Sequence, residues 1–358
     1  MDNKKIKVVV FPWREWTSSN PYLDLLYSPM KTSDVEVIYS DYHRFFPLLE
    51  NYARYKPQIF HIHWHYSVLR ASDPIKTFAK FSVFLFEIFS LKMLGVKIVW
   101  TIHELNDLDN KRSMMDRISS KALFSLADKV IVHGESAKEI LEENNFKDFS
   151  KLAVIPHGNY ISCYENNMSR EEARKALELD EKDFVFLYFG RVRPYKGIEN
   201  LLEKFKKIAS KNARLIIAGP AADVEARESV EKAAAGDERI KLILRFIFDD
   251  AQLYLNSADV VVLPYKKIFT SGTVFLAMSF KKPIIVPKMG CVKDILDEKG
   301  GFFYDPADEN GLADALEAAM KSGDLLKMGD HNFELAKKLD WKDIAARTVA
   351  VYRQALEK

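Results

Sequence analysis

Cysteine is nearly absent, with only Cys163 and Cys291 in 358 residues. The pair forms no disulfide framework and no ligand spacing for a thiolate metal site, which fits a reducing compartment. Charge of one sign is lacking too, since 53 Lys and Arg against 51 Asp and Glu leave a formal net charge of +2. There is no global field for nucleic acid, and no nucleic-acid partner is expected; any basic function must be local. The opening stretch MDNKKIKVVVFP is a charged lead into a strand, without the apolar core and small-residue cleavage site of a signal peptide, so a cytoplasmic location is expected. No internal repeat, low-complexity tract or long like-charge block interrupts the chain. A long apolar run is missing as well. The nearest approach, FAKFSVFLFEIFSLKML over Phe78–Leu94, is shorter than a spanning helix and is broken by Lys80, Glu87 and Lys92. It is expected as a helix buried within a domain, covering the strand that follows; the other option is a helix that also touches a membrane surface.

What is present is a long alternation of short apolar runs with helical patterns. At 358 residues the chain exceeds what one hydrophobic core usually organises, so two domains are expected, and with them a cleft in which a ligand can sit. Strands are expected at Lys7–Phe11, Val35–Tyr39, Ile59–His63, Ile98–Thr101, Lys129–Val132 and Leu152–Ile155. A second set is expected at Phe184–Phe189, Arg214–Ala218, Ile240–Leu244, Val260–Leu263 and Pro283–Val286. Helices fill the gaps, among them Arg117–Ala127, Ala137–Asn144, Ile198–Ser210 and Gly311–Lys321. This pattern reads as α/β, two doubly wound parallel sheets in series. The polar stretch Ser162–Glu181, with a helix expected from Ser169, connects them.

In open α/β sheets ligands sit outside the carboxyl ends of the strands. Those positions are polar and aromatic here: Pro12-Trp13-Arg14-Glu15, His63-Trp64-His65, His103-Glu104 and His157-Gly158-Asn159 in the first half. In the second half they are Gly190-Arg191, Gly219-Pro220, Arg245-Phe246 and Pro264-Tyr265. The segment VFLYFGRVRPYKG, Val185–Gly197, is the most telling. A strand runs into Gly190 and presents Arg191, Arg193 and Lys196 before a helix opens at Ile198. Helix N-termini offer unpaired N–H groups and partial positive charge, and fixed cations add full charges, which suits a diphosphate. An ordinary solvated basic turn is the competing reading. Thr270-Ser271-Gly272-Thr273 forms a second such element: Gly272 allows close backbone approach, and Ser271 or Thr270 can cap the helix that follows. It reads either as an anion cradle or as a plain helix start.

His61, His63 and His65 alternate along a strand and so are expected on one face. Same-face neighbours on one strand lie ~7 Å apart, which converges poorly on a single ion. His61 and His63 are expected to pack and His65 to face the ligand, with no metal. Asp107-Leu108-Asp109 sits in a plain acidic loop. His103 ends an extended run and is expected to accept from a sugar hydroxyl or to act as acid or base; a buried structural histidine is the alternative.

Taken in order, NPYLDLLYSPM, IFHIHW, IVWTIHE, ADKVIVHGESAKEIL, VIPHGNY, FLYFGRVRPYKGIENLLEKF, LIIAGP, LNSADVVVLPY, TSGTVFLAMSFKKPIIVP and DWKDIAARTVAVYRQAL resemble the GT-B glycosyltransferases of group 1, family 4. The resemblance spans nearly the whole chain. It implies two Rossmann-like domains facing across a cleft: residues 1–165 on the acceptor side, residues 166–338 for a nucleotide-sugar donor, and residues 339–358 as a helix crossing back. It further implies that Arg191 and Lys196 hold the donor diphosphate, with Gly190 and the amides of Thr270–Thr273 around it. Phe246 and Ile247 would border the base, and His103 would lie by the donor sugar. Trp13, Arg14, Glu15, Asn20, Tyr22 and His65 would line the acceptor side.

One departure stands out. Members of this family carry two glutamates, before and within the helix corresponding to Val274–Phe280; here Ile268 and Leu276 occupy those places. A subgroup concerned with bacterial polysaccharide and glycolipid assembly shows the same TSG pattern. The expected activity is hexosyl transfer from a nucleotide-diphosphate sugar, GDP-mannose or a UDP-hexose, to a saccharide or lipid-linked saccharide. Neither cofactor nor metal is expected, and peripheral contact with the inner face of the membrane is allowed. Glu15, His65, Glu104 and Asp107 are the candidates for a base. A non-catalytic nucleotide-sugar or glycan reader is the alternative, and a phosphorylase or epimerase on the same fold a third reading.

Overall fold

The structure is a computed structural model that describes residues 5–13, 20–43, 45–67, 69, 73–104 and 114–357. Two compact units make up the chain, one of Met1–Gly158 with Asp340–Lys358 and one of Asn159–Leu339. Residues 159–165, expected with the first domain, group with the second.

The first unit is built on β1 (Ile6–Phe11), β2 (Val35–Tyr39), β3 (Ile59–Ile62), β4 (Lys97–Thr101), β5 (Lys129–Val132) and β6 (Leu152–Val154). All neighbours pair in parallel, in the order β2-β1-β3-β4-β5-β6. Its helices are α1 (Tyr22–Tyr27), α2 (Pro47–Tyr55), α3 (Pro74–Met93), α4 (Met114–Leu126) and α5 (Ala137–Glu143). Parallel strands covered on both faces read as continuous apolar runs, and Val8, Val9, Val10 and Phe11 are all fully buried.

The second unit uses β7 (Phe184–Phe189), β8 (Ala213–Ala218), β9 (Ile240–Ile243), β10 (Val260–Val262), β11 (Ile284–Pro287) and β12 (Gly301–Tyr304). Its order is β12-β11-β10-β7-β8-β9, again parallel throughout. Around it lie α6 (Arg170–Ala176), α7 (Ile198–Lys206), α8 (Val224–Ala234), α9 (Ala251–Ser257), α10 (Gly272–Ser279), α11 (Gly311–Lys321) and α12 (Leu325–Lys337). The expected start at Ser169 is a capping box: Ser169 Oγ accepts from Glu172 N at 3.1 Å, and Glu172 Oε2 accepts from Ser169 N at 2.8 Å. Strand β12 was not expected. Its four residues, which begin at Gly301 and run into an Asp-Pro turn, are too short a run to register as a strand.

The last helix, α13 (Trp341–Leu356), belongs to the first unit. Its Trp341, Ile344, Val349 and Tyr352 join Val8, Val10, Leu23, Tyr27, Val99 and Ile131 in one core. Val99 faces this side, so Trp100 faces the other. There Phe84 of α3 and Trp100 pack about His65, at 6.0 and 5.4 Å between ring centroids.

Helix α3 departs from expectation. Asp73 caps it by accepting from Ile75 N (2.8 Å) and Lys76 N (3.0 Å), so the helix begins a turn earlier than its Phe-rich stretch. It is not buried all round. Phe81, Phe84, Ile88 and Leu91 are buried, but Phe78, Phe86, Phe89 and Met93 are 56%, 58%, 58% and 73% exposed. With Ile75 they recur at helical spacing and form one apolar stripe facing outward. No helix among the described residues is long and apolar enough to cross a membrane.

Gly158 shows how closely α13 is seated, because a Cβ there would run into the Trp341 indole. Gly158→Ala is expected to lower stability by about 1–3 kcal/mol, the usual cost of overpacking. Urea unfolding measures it, and Trp341→Phe in the same chain should recover part of the loss.

Candidate functional site

In the second unit the strand order reverses between β7 and β10, since β8 and β9 lie to one side of β7 and β10 to the other. This switch point leaves the residues after β7 and β10 adjacent, and in α/β sheets such a crevice takes the ligand. Gly190 ends β7 with φ +129°, and a Cβ there would lie 3.3 Å from Thr273 Oγ1. The cationic turn and the start of α10 are therefore neighbours. Arg191 is exposed, and Arg193 and Lys196 are partly exposed. Tyr188 Oη donates to the Arg191 carbonyl at 2.8 Å. The Lys196 ammonium lies 4.2 Å from the centre of the Tyr265 ring and 5.0 Å from that of Tyr195, so two aromatic faces steer its charge. Gly197, at φ +73°, passes so close to the Pro264 carbonyl that no Cβ fits.

Ser271 occupies the N-cap of α10, but the structure corrects its expected role. Its hydroxyl pairs with Tyr265 Oη at 2.7 Å and makes no capping bond. The Thr270 hydroxyl does not cap either; it is buried without a hydrogen-bond partner among the described residues. The first amides of α10, Gly272 and Thr273, thus receive no side-chain acceptor, the condition in which a helix N-terminus accepts an anion. Ile268 and Leu276 are buried apolar side chains. Phe246 is exposed and Ile247 buried on the segment after β9.

In the first unit four consecutive strands are each followed within three residues by a histidine: His63 after β3, His103 after β4, His133 after β5 and His157 after β6. They surround Tyr22, whose ring centroid lies 5.7, 4.7, 5.9 and 5.0 Å from theirs, and Trp341 closes the group at 5.4 Å. Tyr27 Oη lies 2.7 Å from both His61 Nδ1 and His63 Nε2. The chain continues from His63 Nδ1 to His103 Nε2 at 3.0 Å, while His61 Nε2 meets Thr101 Oγ1 at 2.8 Å. Trp64 stacks on His103 at 4.3 Å.

Several expectations change here. His65 does not share a face with His61 and His63: β3 ends at Ile62, and His65 turns into the opposite layer, 2% exposed, with Ser120 Oγ 3.2 Å from its Nε2. Burial against Phe84 and Trp100 removes it from the acceptor side and from the candidate bases. Tyr22 is likewise 3% exposed, the hub of the histidine group rather than a surface contact. Burial, with nearby histidines adding to it, holds His103 well below the ordinary imidazole value, so it is neutral at pH 7 and carries no extra proton to give as an acid. Asn20 Oδ1 accepts from Tyr22 N at 3.1 Å and starts α1. Trp13 and Glu104 are partly exposed. Arg14, Glu15, Asp107 and Asp109 lie outside the described residues. His133 was missed, although VIVHG repeats the strand-then-histidine signal of VWTIH.

The comparisons with known proteins fit this geometry. Residues 183–322 match the family model described as glycosyl transferases group 1. The chain is 28% identical over 311 residues to a GDP-mannose:glycolipid 4-beta-D-mannosyltransferase of Xanthomonas campestris pv. campestris, covering 84% of this chain and 81% of that protein. It is 22% identical over 281 residues to a D-inositol 3-phosphate glycosyltransferase of Corynebacterium glutamicum, covering 73% and 67%. Sucrose-phosphate synthase from Thermosynechococcus elongatus superposes with a TM-score of 0.79 at 18% identity, covering 99% of this chain and 100% of that one. Anabaena HepE, solved with UDP, gives 0.73 at 14%, covering 98% and 100%. The fold is GT-B, two Rossmann-like α/β units each with a six-stranded parallel sheet. Within that class the chain is similar to the group 1 glycosyltransferases, by the family match over residues 183–322 and by relatives named as glycosyltransferases.

The histidine row has a thermodynamic consequence. Burial lowers His61 and His157 to about 3 and His133 to about 4, from 6.5. Between those values and 6.5 the unfolded chain binds more protons than the folded one, so stability is present above pH 6.5 and is lost as pH falls toward 4. Each extra proton contributes a slope of about 1.4 kcal/mol per pH unit. The urea midpoint should drop steeply from pH 7 to pH 4.5, and less steeply in His157→Phe; a flat profile would contradict the buried neutral row.

Proposed function

We propose that the protein transfers a hexosyl group from a nucleotide-diphosphate hexose, GDP-mannose or a UDP-hexose, to a hydroxyl of a saccharide or glycolipid, without a bound metal ion. The observation that carries this reading is the cationic turn Gly190–Lys196 set beside the side-chain-uncapped start of α10. The donor class is supported by the GDP-mannose named for the Xanthomonas relative. The UDP in the HepE structure points the same way.

In the transfer the bond from the anomeric carbon to the diphosphate oxygen breaks, and the diphosphate leaves with the electron pair. The acceptor oxygen bonds to that carbon and gives up its proton. Negative charge grows on the leaving oxygens, where Arg191, Lys196 and the amides of Gly272 and Thr273 stabilise it. Two fixed cations do here what a divalent metal does elsewhere. Neutral His103 holds a donor-sugar hydroxyl, and Phe246 with Ile247 borders the base. Glu104 is the candidate base among the described residues, with Glu15 and Asp107 beyond them. The apolar stripe of α3 supports a lipid-borne acceptor: Ile75, Phe78, Phe86, Phe89 and Met93 rest on the membrane surface, on its cytoplasmic side.

Arg191→Ala with Lys196→Ala is expected to remove about 3 kcal/mol or more of transition-state stabilisation. Donor and acceptor turnover measures this; unchanged kcat/KM would refute the assignment. Turnover should persist in EDTA, and complete loss would overturn the metal-free mechanism. Phe86→Ser with Phe89→Ser should abolish co-sedimentation with vesicles containing anionic lipid while the fold stays intact by circular dichroism. If the variant sediments as the parent does, α3 is not the contact.

A further inference from the structure

The first unit carries a groove of about 510 Å³ whose lining includes Trp13, Tyr42, His43, Lys76, Lys80 and Glu87. It begins just past the carboxyl ends of β1 and β2 and runs along α3. Trp13 and Tyr42 meet edge to face at 4.8 Å and give it an aromatic wall. Glu87 is fully buried. Its Oε1 accepts from Leu48 N (2.8 Å) and Leu49 N (2.9 Å), filling the capping role that Phe46 cannot play for α2. Its Oε2 is buried with no hydrogen-bond partner among the described residues. Burial raises this carboxyl to about 7, the mark of an uncompensated site.

His43 repeats the situation. Its Nδ1 lies 2.6 Å from Glu50 Oε2 and donates to it, and Nε2 is also buried with no hydrogen-bond partner among the described residues. Two unmatched buried polar atoms in one groove call for a ligand that can both donate and accept, and clustered hydroxyls beside aromatic rings are the chemistry of a sugar. At the other end Lys76 and Lys80 stand one turn apart on the same side of α3. From Lys80 to Glu87 the helix advances ~10 Å, room for one pyranose and one phosphate. Ile75 and Phe78, the first members of the exposed apolar stripe, adjoin Lys76.

We propose that this groove binds a glycosyl phosphate on a lipid carrier: hydroxyls hydrogen-bonded to Glu87 Oε2 and His43 Nε2, the ring against Trp13 and Tyr42, the phosphate on Lys76 and Lys80. The hydrocarbon then continues onto the α3 stripe. As a place for the acceptor it rests on the glycosyl-transfer reading above.

Calorimetric titration of the full chain without donor tests it, using glucose 1-phosphate, an octyl glucosyl phosphate and octyl glucoside. The octyl phosphate should bind most tightly, and octyl glucoside at least about tenfold more weakly. Lys76→Ala with Lys80→Ala should bring the octyl phosphate down to the octyl glucoside level. Glu87→Gln, which keeps the cap through its amide oxygen, should weaken all three ligands. Equal binding of the two octyl ligands, or indifference to the lysine pair, would overturn the site. Glucose 1-phosphate binding as tightly as the octyl phosphate would overturn the lipid carrier and assign the groove to free sugar phosphates. Because nothing is turned over, failure here leaves the transfer reading standing, and loss of turnover with binding intact would fail that reading alone.

Discussion

The cationic turn of the second unit depends on a corner that has no room for side chains. A Cβ on Gly219 would strike the Gly190 carbonyl, and one on Gly190 would press on Thr273. With φ of +129° and +146°, both residues adopt backbone that L side chains rarely reach. Glycine at these two positions lets the turns after β7 and β8 lie against each other and brings the first turn of α10 alongside. The cationic turn and the first turn of α10 therefore lie side by side by construction of the backbone. Lys196, held over Tyr265, and Ser271, bonded to the same tyrosine, are fixed by a single ring. Preorganisation of this kind is what makes fixed charge effective on a leaving diphosphate, because no reorganisation is needed as the charge develops.

The first unit solves a different problem. Its four strand-end histidines are buried, and burying imidazolium in a polar but dry group is costly, so they stay neutral. A neutral imidazole is donor on one nitrogen and acceptor on the other, and the chain from Tyr27 through His63 to His103 closes with either polarity. If Tyr27 donates to His63 Nε2, then His63 Nδ1 donates to His103 Nε2, and His103 Nδ1 keeps its proton. Reversed, His103 Nδ1 has a lone pair. The ring at the end of β4 can thus meet a hydroxyl as donor or acceptor without gaining charge.

Much of the architecture was legible because parallel strands buried on both faces must be apolar throughout. Val35–Tyr39, Lys129–Val132, Phe184–Phe189 and Gly311–Lys321 were read with the bounds the structure gives them. The candidate donor residues were legible for a related reason, since strand-end positions follow from strand positions. What escaped depended on packing partners far along the chain. Period-two reasoning put His65 beside His61 and His63, but the strand stops at Ile62 and the pleat stops with it. Glu87 looked like a charge interrupting a Phe-rich helix. Its purpose is set by the amides of α2, 38 and 39 residues away, and no local pattern carries that information. The outward stripe of α3 was hidden by the same composition, because a helix rich in Phe on all sides gives little sign of which side is covered.

The missing carboxylates fit this account. Ile268 and Leu276, at the positions where the family resemblance expects glutamates, are buried, and Gly290 at φ +62° packs its backbone against the Ile268 carbonyl while Cys291 N donates to the Phe269 carbonyl at 2.9 Å. A carboxylate at either position would lose its hydration in apolar packing, and ionised it would cost several kcal/mol. The substitution is therefore part of how the segment packs rather than a gap in an otherwise unchanged site. It also leaves the start of α10 and the cationic turn beside it without those two negative charges, which favours an anionic ligand there. In the proposed reaction the hold on the diphosphate would fall to Arg191, Lys196 and backbone amides, groups that recognise phosphate geometry and leave the sugar to be read elsewhere.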